Sequence, residues 1–361
     1  MDRREFSRLS AFALASSFVP TFAQNNASTK PVGYAAIGLG RICDIFMRAC
    51  ALTQSSKITA LVTGHPDTKG VKYAEMYGIP KSSIYTYETF DQIVNNKDVD
   101  AVYIGLPNSM HCEYTLRAAA AGKHVLCEKP MAISSAECRQ MIAACHKAQR
   151  KLMIAYRVQY EPTWNHAFEL ISSGALGQME SFQGGFYGQE AAGEWRLNRK
   201  LAGGGSLLDL GIYPLNAIRH SLGEEPTGFT AVVATRDKSG RFAEVEQSME
   251  WTMKFPSGII ASCGCSYGQV GPNFLMMNGE RGMLEMNPGF TYDGPHLQGL
   301  AAGRRIDEQS PGKHPYVFAL EADHFSACVR NNKEPKSPGE EGLKDMIAIE
   351  GIYKAAGTPI A

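Results

Sequence analysis

From residue 32 the chain alternates short apolar runs with stretches of helical period. Residues 32–39 (Val-Gly-Tyr-Ala-Ala-Ile-Gly-Leu) form a buried run of strand length, and a helical stretch follows over 41–53. The same reading gives strands at 57–63, 101–106 and 124–128, with helices at 71–77 and 111–121. Strand and helix in alternation with short connections predict a parallel sheet with right-handed crossovers. Past Tyr156 the pattern changes. A helix at 163–173 gives way to longer strands at 179–187, 229–236, 246–255 and 259–267, several alternating apolar with polar residues and joined by turns such as Pro256-Ser257-Gly258. This predicts a second, α+β domain on a large, mainly antiparallel sheet. Ser337-Pro338-Gly339-Glu340 reads as a capping box with proline at the first helical position, opening a last helix over 338–356. The expected organisation is a parallel-sheet α/β domain at 32–155, a second domain at 156–336 and a C-terminal helix at 337–361.

The beginning of the chain follows another plan. Arg3-Arg4-Glu5-Phe6 precedes an alanine-rich apolar run over 9–22 that ends in small residues at Ala23. A basic start, an apolar stretch too short for a comfortable span and a small-residue cleavage region describe a signal peptide, here 1–23, and the paired arginines describe the twin-arginine route that exports folded proteins. The expectation is a periplasmic protein. Residues 24–31 are polar and aperiodic and read as an extended arm. No later segment is apolar enough to span a membrane.

Composition then narrows the partners. Of 361 residues, 44% are hydrophobic and 20% charged, as in ordinary globular domains, and 36 basic residues balance 36 acidic ones. No net field draws such a chain to nucleic acid or an anionic membrane, so a small molecule is the expected partner. Nine cysteines without a Cys-x-x-Cys lie among apolar residues and read as free, buried small hydrophobes. The scattered histidines give no metal-ligand spacing.

Gly38-Leu39-Gly40-Arg41-Ile42-Cys43 stands where the first strand meets the first helix, the context a dinucleotide fingerprint requires, and marks the first domain as a Rossmann domain. Cys43 takes the third position, usually glycine or alanine. The second strand ends Leu61-Val62-Thr63-Gly64-His65 with no carboxylate to hold the ribose hydroxyls of NAD. Arg41 and Lys69 instead offer charge to a 2'-phosphate, which favours NADP, with Asp67 close by.

Two further motifs carry the chemistry. Glu128-Lys129-Pro130 ends a strand of the parallel sheet on the ligand-binding edge of such sheets, and Asp209 and Tyr213, four residues apart, share a face if the segment is helical. By residue type alone, Asp209 as a helix cap and Tyr213 as a packing residue remain open. Together with Leu106-Pro107-Asn108-Ser109-x-His111 and Gly-Gly-Gly-Ser-x-x-Asp-x-Gly-x-Tyr at 203–213, in this order and spacing, they resemble the Gfo/Idh/MocA oxidoreductases, and within them the glucose-fructose oxidoreductase branch. The likeness runs from Val32 to Gly342.

The resemblance implies that Lys129, Asp209 and Tyr213 are catalytic. Tyr213 would take the proton of a sugar C1 hydroxyl, Lys129 would favour its deprotonated form, and Asp209 would orient the substrate or the lysine. It implies cofactor contacts from Gly38, Leu39, Gly40, Arg41 and Ile42, then Thr63, Gly64, Lys69 and Tyr87 toward the adenosine. Leu106, Pro107, Asn108, His111, Glu128, Lys129, Arg157, Trp195, Arg196 and Tyr292 would complete the nicotinamide side. The implied activity oxidises an aldose to the aldonolactone and passes the hydride from tightly bound NADPH to a second sugar. A homodimer or dimer of dimers formed through the open face of the second sheet is implied too. A conventional NADP-dependent aldose or diol dehydrogenase with exchangeable cofactor, and a non-catalytic dinucleotide-binding regulator, are the alternatives.

Overall fold

The computed structural model describes residues 30–358. The expected signal segment at 1–23, and the expected arm at 24–31 apart from its last two residues, lie outside the described residues.

The first sheet is made by strands that bury both faces. β1 (Val32–Ile37) is buried at all six positions. It pairs in parallel with β2 (Ser56–Val62) on one side and β4 (Ala101–Ile104) on the other. With β3 (Ile84–Tyr85), β5 (His124–Glu128) and β6 (Leu152–Ala155), the order is β3-β2-β1-β4-β5-β6, the doubly wound arrangement of a dinucleotide-binding domain. Near-continuous apolar runs are what a parallel sheet covered on both faces needs. Alternate residues of β1 accordingly enter different cores: Tyr34 and Ala36 join Phe46 and Phe325, while Ala35 and Ile37 join Val102, Ile104 and Cys138.

The covering helices are α1 (Arg41–Cys50), α2 (Val71–Tyr77), α3 (His111–Ala120) and α4 (Ser135–Ala148). Helix α1 stops three residues short of the expected Thr53, because Leu52 and Thr53 donate to the carbonyls of Ala49 and Cys50 in tight turns.

After α5 (Pro162–Ser172), the chain builds the second sheet from β7 (Met179–Tyr187). Two helices intervene, α6 (Arg199–Ala202) and α7 (Ile212–Leu222), before β8 (Gly228–Ala234), β9 (Ser248–Lys254) and β10 (Ile260–Ser266). The sheet is completed by β11 (Asn273–Gly279), β12 (Gly282–Met286), β13 (His296–Ala301) and β14 (Arg304–Gln309). Its order is β14-β13-β12-β11-β7-β10-β9-β8, antiparallel except where β7 and β10 run in parallel. The fold is α/β, as the sequence predicts. One face packs on α5 and α7; the other exposes Val232, Ile260, Met283 and Leu300. Two last helices return to the first domain: α8 (Tyr316–Asn331) packs on α1, and α9 (Gly339–Ala355) packs on α4 and β6. No helix among the described residues is long and apolar enough to cross a membrane. All nine cysteines are free and buried.

The expected capping box does not form. Pro338 is the N-cap of α9, and no side chain caps it. Ser337 is fully buried; its hydroxyl donates to the Ile154 carbonyl at 2.7 Å, and its own carbonyl accepts from the Ile154 N–H at 2.8 Å. An acceptor on β6 captures the serine that the pattern assigned to the helix.

Helices α7 and α9 are locked by Arg219, only 2% exposed, which pairs with buried Asp345 and reaches Glu341 and Glu225. Removing one member of a buried pair leaves the other charge uncompensated. Arg219→Met is expected to lower stability by about 3–5 kcal/mol, read as a shift in denaturant midpoint. Adding Asp345→Leu should recover most of that loss.

Candidate active site

The carboxyl ends of β1, β2 and β4 open onto a groove of about 830 Å³. Its floor is Gly38 to Ile42. Gly38 takes φ +81°, and a Cβ there would lie 2.7 Å from the Gly105 carbonyl oxygen, so this turn requires glycine. Gly40 differs. A Cβ there meets protein only at 3.9 Å, so packing within the chain does not demand glycine, and the open space above it suits close approach by a ligand. Gly40 is also the N-cap of α1, and no side chain caps that helix, leaving its first N–H groups for an anion. The groove therefore fits the pyrophosphate of a dinucleotide. Thr63, Gly64, Tyr87 and Lys69 line it beyond β2, and His65 joins them. Arg41 leans the other way, 5.8 Å from the ring centre of Tyr292, so Lys69 is the cation beside the end of β2, with the His65 ring next to it.

A second space of about 320 Å³ adjoins the groove and shares Arg41, Ile42, Leu106, Trp195, Arg196, Asp209 and Tyr292 with it. Aromatic rings dominate its wall: Phe186, Trp195, Tyr213, Phe290, Tyr292 and Phe318. At the junction, Lys129 from the end of β5 meets Asp209 from a wide helical turn, Leu207–Gly211, that runs into α7. Lys129 Nζ donates to Asp209 Oδ1 and to its backbone oxygen, both at 2.8 Å. Asp209 Oδ2 accepts from Arg196 Nε and from the Tyr267 hydroxyl, each at 3.0 Å. Burial by itself would raise the Asp209 carboxyl; the charges of Lys129 and Arg196 and the hydrogen bonds from Lys129 and Tyr267 overcome it and hold the group well below the usual carboxylate range. Burial likewise opposes the charge on Lys129, but Asp209 and Tyr213 raise it above the ordinary lysine value. Both members stay ionised, and Asp209 has no vacant role as a base.

Tyr213 completes the arrangement. The i, i+4 spacing puts it on the same side of the turn as Asp209, with Lys129 Nζ 4.7 Å and the Arg157 guanidinium 4.9 Å from its ring centre. Arg157 is held by the carbonyls of Phe290 and Thr291 and lies 4.8 Å from the Tyr292 ring as well. Burial pushes Tyr292 up, with Tyr213 adding to the effect, so Tyr292 keeps its proton. Glu128, 8% exposed, accepts from the Tyr103 hydroxyl at 2.5 Å and lines the smaller space.

Among the expected cofactor residues, Leu39 and Pro107 line the groove, while Asn108, Glu128, Lys129 and Arg157 line the smaller space. Arg41, Ile42, Leu106, Trp195, Arg196 and Tyr292 line both. The Asn108 amide also donates to the Ala202 carbonyl at 2.9 Å. His111 is the correction. It is fully buried and lines neither space; its ring nitrogens lie 2.9 Å from the carbonyl oxygens of Leu106 and Pro130. The ring packs between the two loops that carry Asn108 and Lys129, and its one N–H can serve a carbonyl on either. Tyr267 is the residue that sequence reasoning missed. It sits just past β10, 58 positions from Asp209, and only the register of the second sheet brings it there.

The depressed Asp209 carboxyl contributes stability above the unfolded-state carboxyl value of about 4 and loses it as pH falls toward the lower folded value. The stability difference between the native chain and Asp209→Asn should therefore be largest near neutrality and shrink in acid. Urea titrations at pH 7 and pH 3 check this.

The profile described as the oxidoreductase family, NAD-binding Rossmann fold, matches residues 32–156, and that of the GFO/IDH/MocA C-terminal domain matches residues 164–285. The structure is similar to that of aldose-aldose oxidoreductase from Caulobacter crescentus complexed with glycerol. The TM-score is 0.87 and the identity 43%, over 91% of this chain and 98% of that one. The chain is 29% identical to D-xylose 1-dehydrogenase (NADP(+)) of Haloarcula marismortui over 346 residues, 93% of this chain and 94% of that one. It is 28% identical to trans-1,2-dihydrobenzene-1,2-diol dehydrogenase of Oryctolagus cuniculus, over 85% of this chain and 93% of that one. With both halves matched in turn and a structural relative alike nearly end to end, the chain belongs to the Gfo/Idh/MocA oxidoreductase family.

Proposed function

We propose that this protein is an NADP-dependent sugar oxidoreductase that oxidises an aldose at C1 to the aldonolactone and returns the hydride, from tightly held NADPH, to a second sugar. The observation that carries the reading is the placement of Tyr213 beside the saturated Lys129–Asp209 pair, where the dinucleotide groove meets an aromatic-walled space of monosaccharide scale. NADP, when bound, supplies the hydride acceptor. Tyr213, entering the step as the phenolate, then takes the proton of the C1 hydroxyl as C1 gives up its hydrogen with both electrons. In the return step the tyrosine gives that proton to the oxygen of the acceptor sugar's carbonyl. Lys129 stays cationic throughout and lies against the charge that develops on these oxygens. Arg157, fixed to two backbone carbonyls, keeps Tyr213 and Tyr292 in place around the substrate.

The preference for NADP rests on Lys69 and His65 beside the end of β2, with no carboxylate on that strand's end, and on the NADP(+) in the name of the haloarchaeal relative. The two-sugar cycle draws on the aldose-aldose oxidoreductase. Export of the folded chain to the periplasm by its twin-arginine start, with the cofactor already inserted, gives retention a purpose, since a compartment without a nicotinamide pool must recycle what it receives. Pairing of two chains over the open face of the second sheet would cover Val232, Ile260, Met283 and Leu300.

The test is to purify the protein without added nucleotide, record its spectrum, add glucose and then fructose, and denature it to identify what is released. Reduction by the first sugar, reoxidation by the second and release of NADP support the cycle. A colourless protein that turns over only with added NADP makes it a conventional dehydrogenase. Tyr213→Phe is expected to lower kcat by about 10²–10⁴-fold with NADPH affinity unchanged in fluorescence titration. Lys69→Ala should weaken binding of NADP to the stripped protein by about ten- to a hundredfold while leaving NAD unaffected, a change that direct binding curves for the two nucleotides would reveal.

A further inference from the structure

The catalytic pair depends on a turn whose own anchoring lies outside both ligand spaces. Leu207–Gly211 has no side-chain cap at its start, where Ser206 stands. The N–H groups there are taken instead by a residue 39 positions away. Glu246, 4% exposed and just before β9, accepts from the Leu207 N–H at 3.0 Å with Oε1 and from the Gly205 N–H at 2.9 Å with Oε2. The Tyr353 hydroxyl, from the last turns of α9, donates to the same Oε1 at 2.8 Å and lies 3.3 Å from the Gly205 nitrogen. Tyr353 is itself 2% exposed. One carboxyl thus gathers two backbone donors and a phenol at the point where the chain turns toward Asp209.

Gly204 and Gly205 make room for the clasp. A Cβ on Gly204 would stand 2.3 Å from the Tyr353 hydroxyl, and one on Gly205 would stand 2.3 Å from the Glu246 carbonyl oxygen and 2.8 Å from its carboxyl carbon. Small residues let the backbone come within hydrogen-bond reach of Glu246. Asp209 follows the clamped Leu207 by two residues and Tyr213 by six, on a continuous helical path. A tilt at its start therefore moves both side chains relative to Lys129, which is fixed on the other sheet.

We infer that Glu246 and Tyr353 are positioning residues for the proposed reaction, a buried clasp through which the C-terminal helix sets the register of Asp209 and Tyr213 against Lys129. The inference rests on the reading of the site given above. Displacement of reacting groups by about 1 Å can cost about a hundredfold in rate.

The experiment compares the full-length protein with Glu246→Gln, Tyr353→Phe and the double variant. Glutamine keeps the size of the side chain but places an NH₂ where one of the N–H groups needs an acceptor; phenylalanine keeps the ring and loses the hydroxyl. Each variant is expected to bind NADPH within about threefold of the native protein in fluorescence titration, because the groove residues are untouched. Each should lose about ten- to a hundredfold in kcat for aldose-dependent cofactor reduction, with KM for the sugar changing far less and the pH profile of kcat displaced. The double variant should be no slower than the worse single variant, because the two residues act as a unit. Unchanged kcat and pH profile beside a lowered melting temperature would reduce the clasp to a stability element, and multiplicative losses in the double variant would break the unit; either overturns the inference. A native protein inert to every aldose would overturn the reading of the site and the clasp's role with it, whereas an active native protein with unaffected variants overturns the clasp alone.

Discussion

The structure hangs on one ion pair. Lys129 comes from the end of a strand of the parallel sheet, and Asp209 from a turn packed behind the antiparallel one. The two side chains are 12% and 21% exposed, and each helps to keep the other ionised where the two sheets meet. Everything else at the junction is arranged on it. Arg196 and Tyr267 fill the second oxygen of Asp209 from two other directions, and His111 braces the loops on the lysine's side. Tyr213 inherits its place from the same helical path.

Four of the six parallel strands were legible in the sequence because buried strands leave uninterrupted apolar runs, as at Val32–Ile37, and because the glycine fingerprint falls at a strand-to-helix turn, whereas β3 and β6, of two and four residues, are too short to show a run. The second sheet was legible as far as β10. Beyond it, β11 to β14 are partly exposed, and Gly279, Gly282 and Gly299 interrupt the alternation that would announce them. Helix α4 hides for a different reason. Its buried positions are only Ser135, Cys138, Met141 and Cys145 of fourteen residues, too sparse a stripe to mark a helical period.

The site shows the same division. Residues within short motifs, such as Lys129 or Asp209 and Tyr213, can be found by spacing. Tyr267, and the Glu246 that grips the start of the turn carrying Asp209, reach the site through strand register and sheet packing across tens of residues, and no local pattern contains them. Local patterns also mislead where a buried partner outcompetes them. Ser337 has the spacing of a helix cap and spends its hydroxyl on β6, and His111 opens a helix beside the cofactor edge yet turns both nitrogens to backbone carbonyls. Arg41 and Lys69 look equivalent as cations near the fingerprint, but only packing reveals that one leans on Tyr292 while the other stays by β2.

The groove and the smaller space have seven lining residues in common, from Arg41 to Tyr292. Occupants of the two spaces therefore meet along this wall. Whatever occupies the groove at the junction becomes one side of the chamber beyond it, so a chamber with an empty groove is missing a surface. Under the proposed reading the dinucleotide stays in the groove through the cycle, so each sugar in turn meets a chamber of which the nucleotide already forms one side. The oxidised and reduced rings differ in charge, so the chamber presents two electrostatic surfaces in alternation, and a single cavity can prefer one sugar before transfer and another after it.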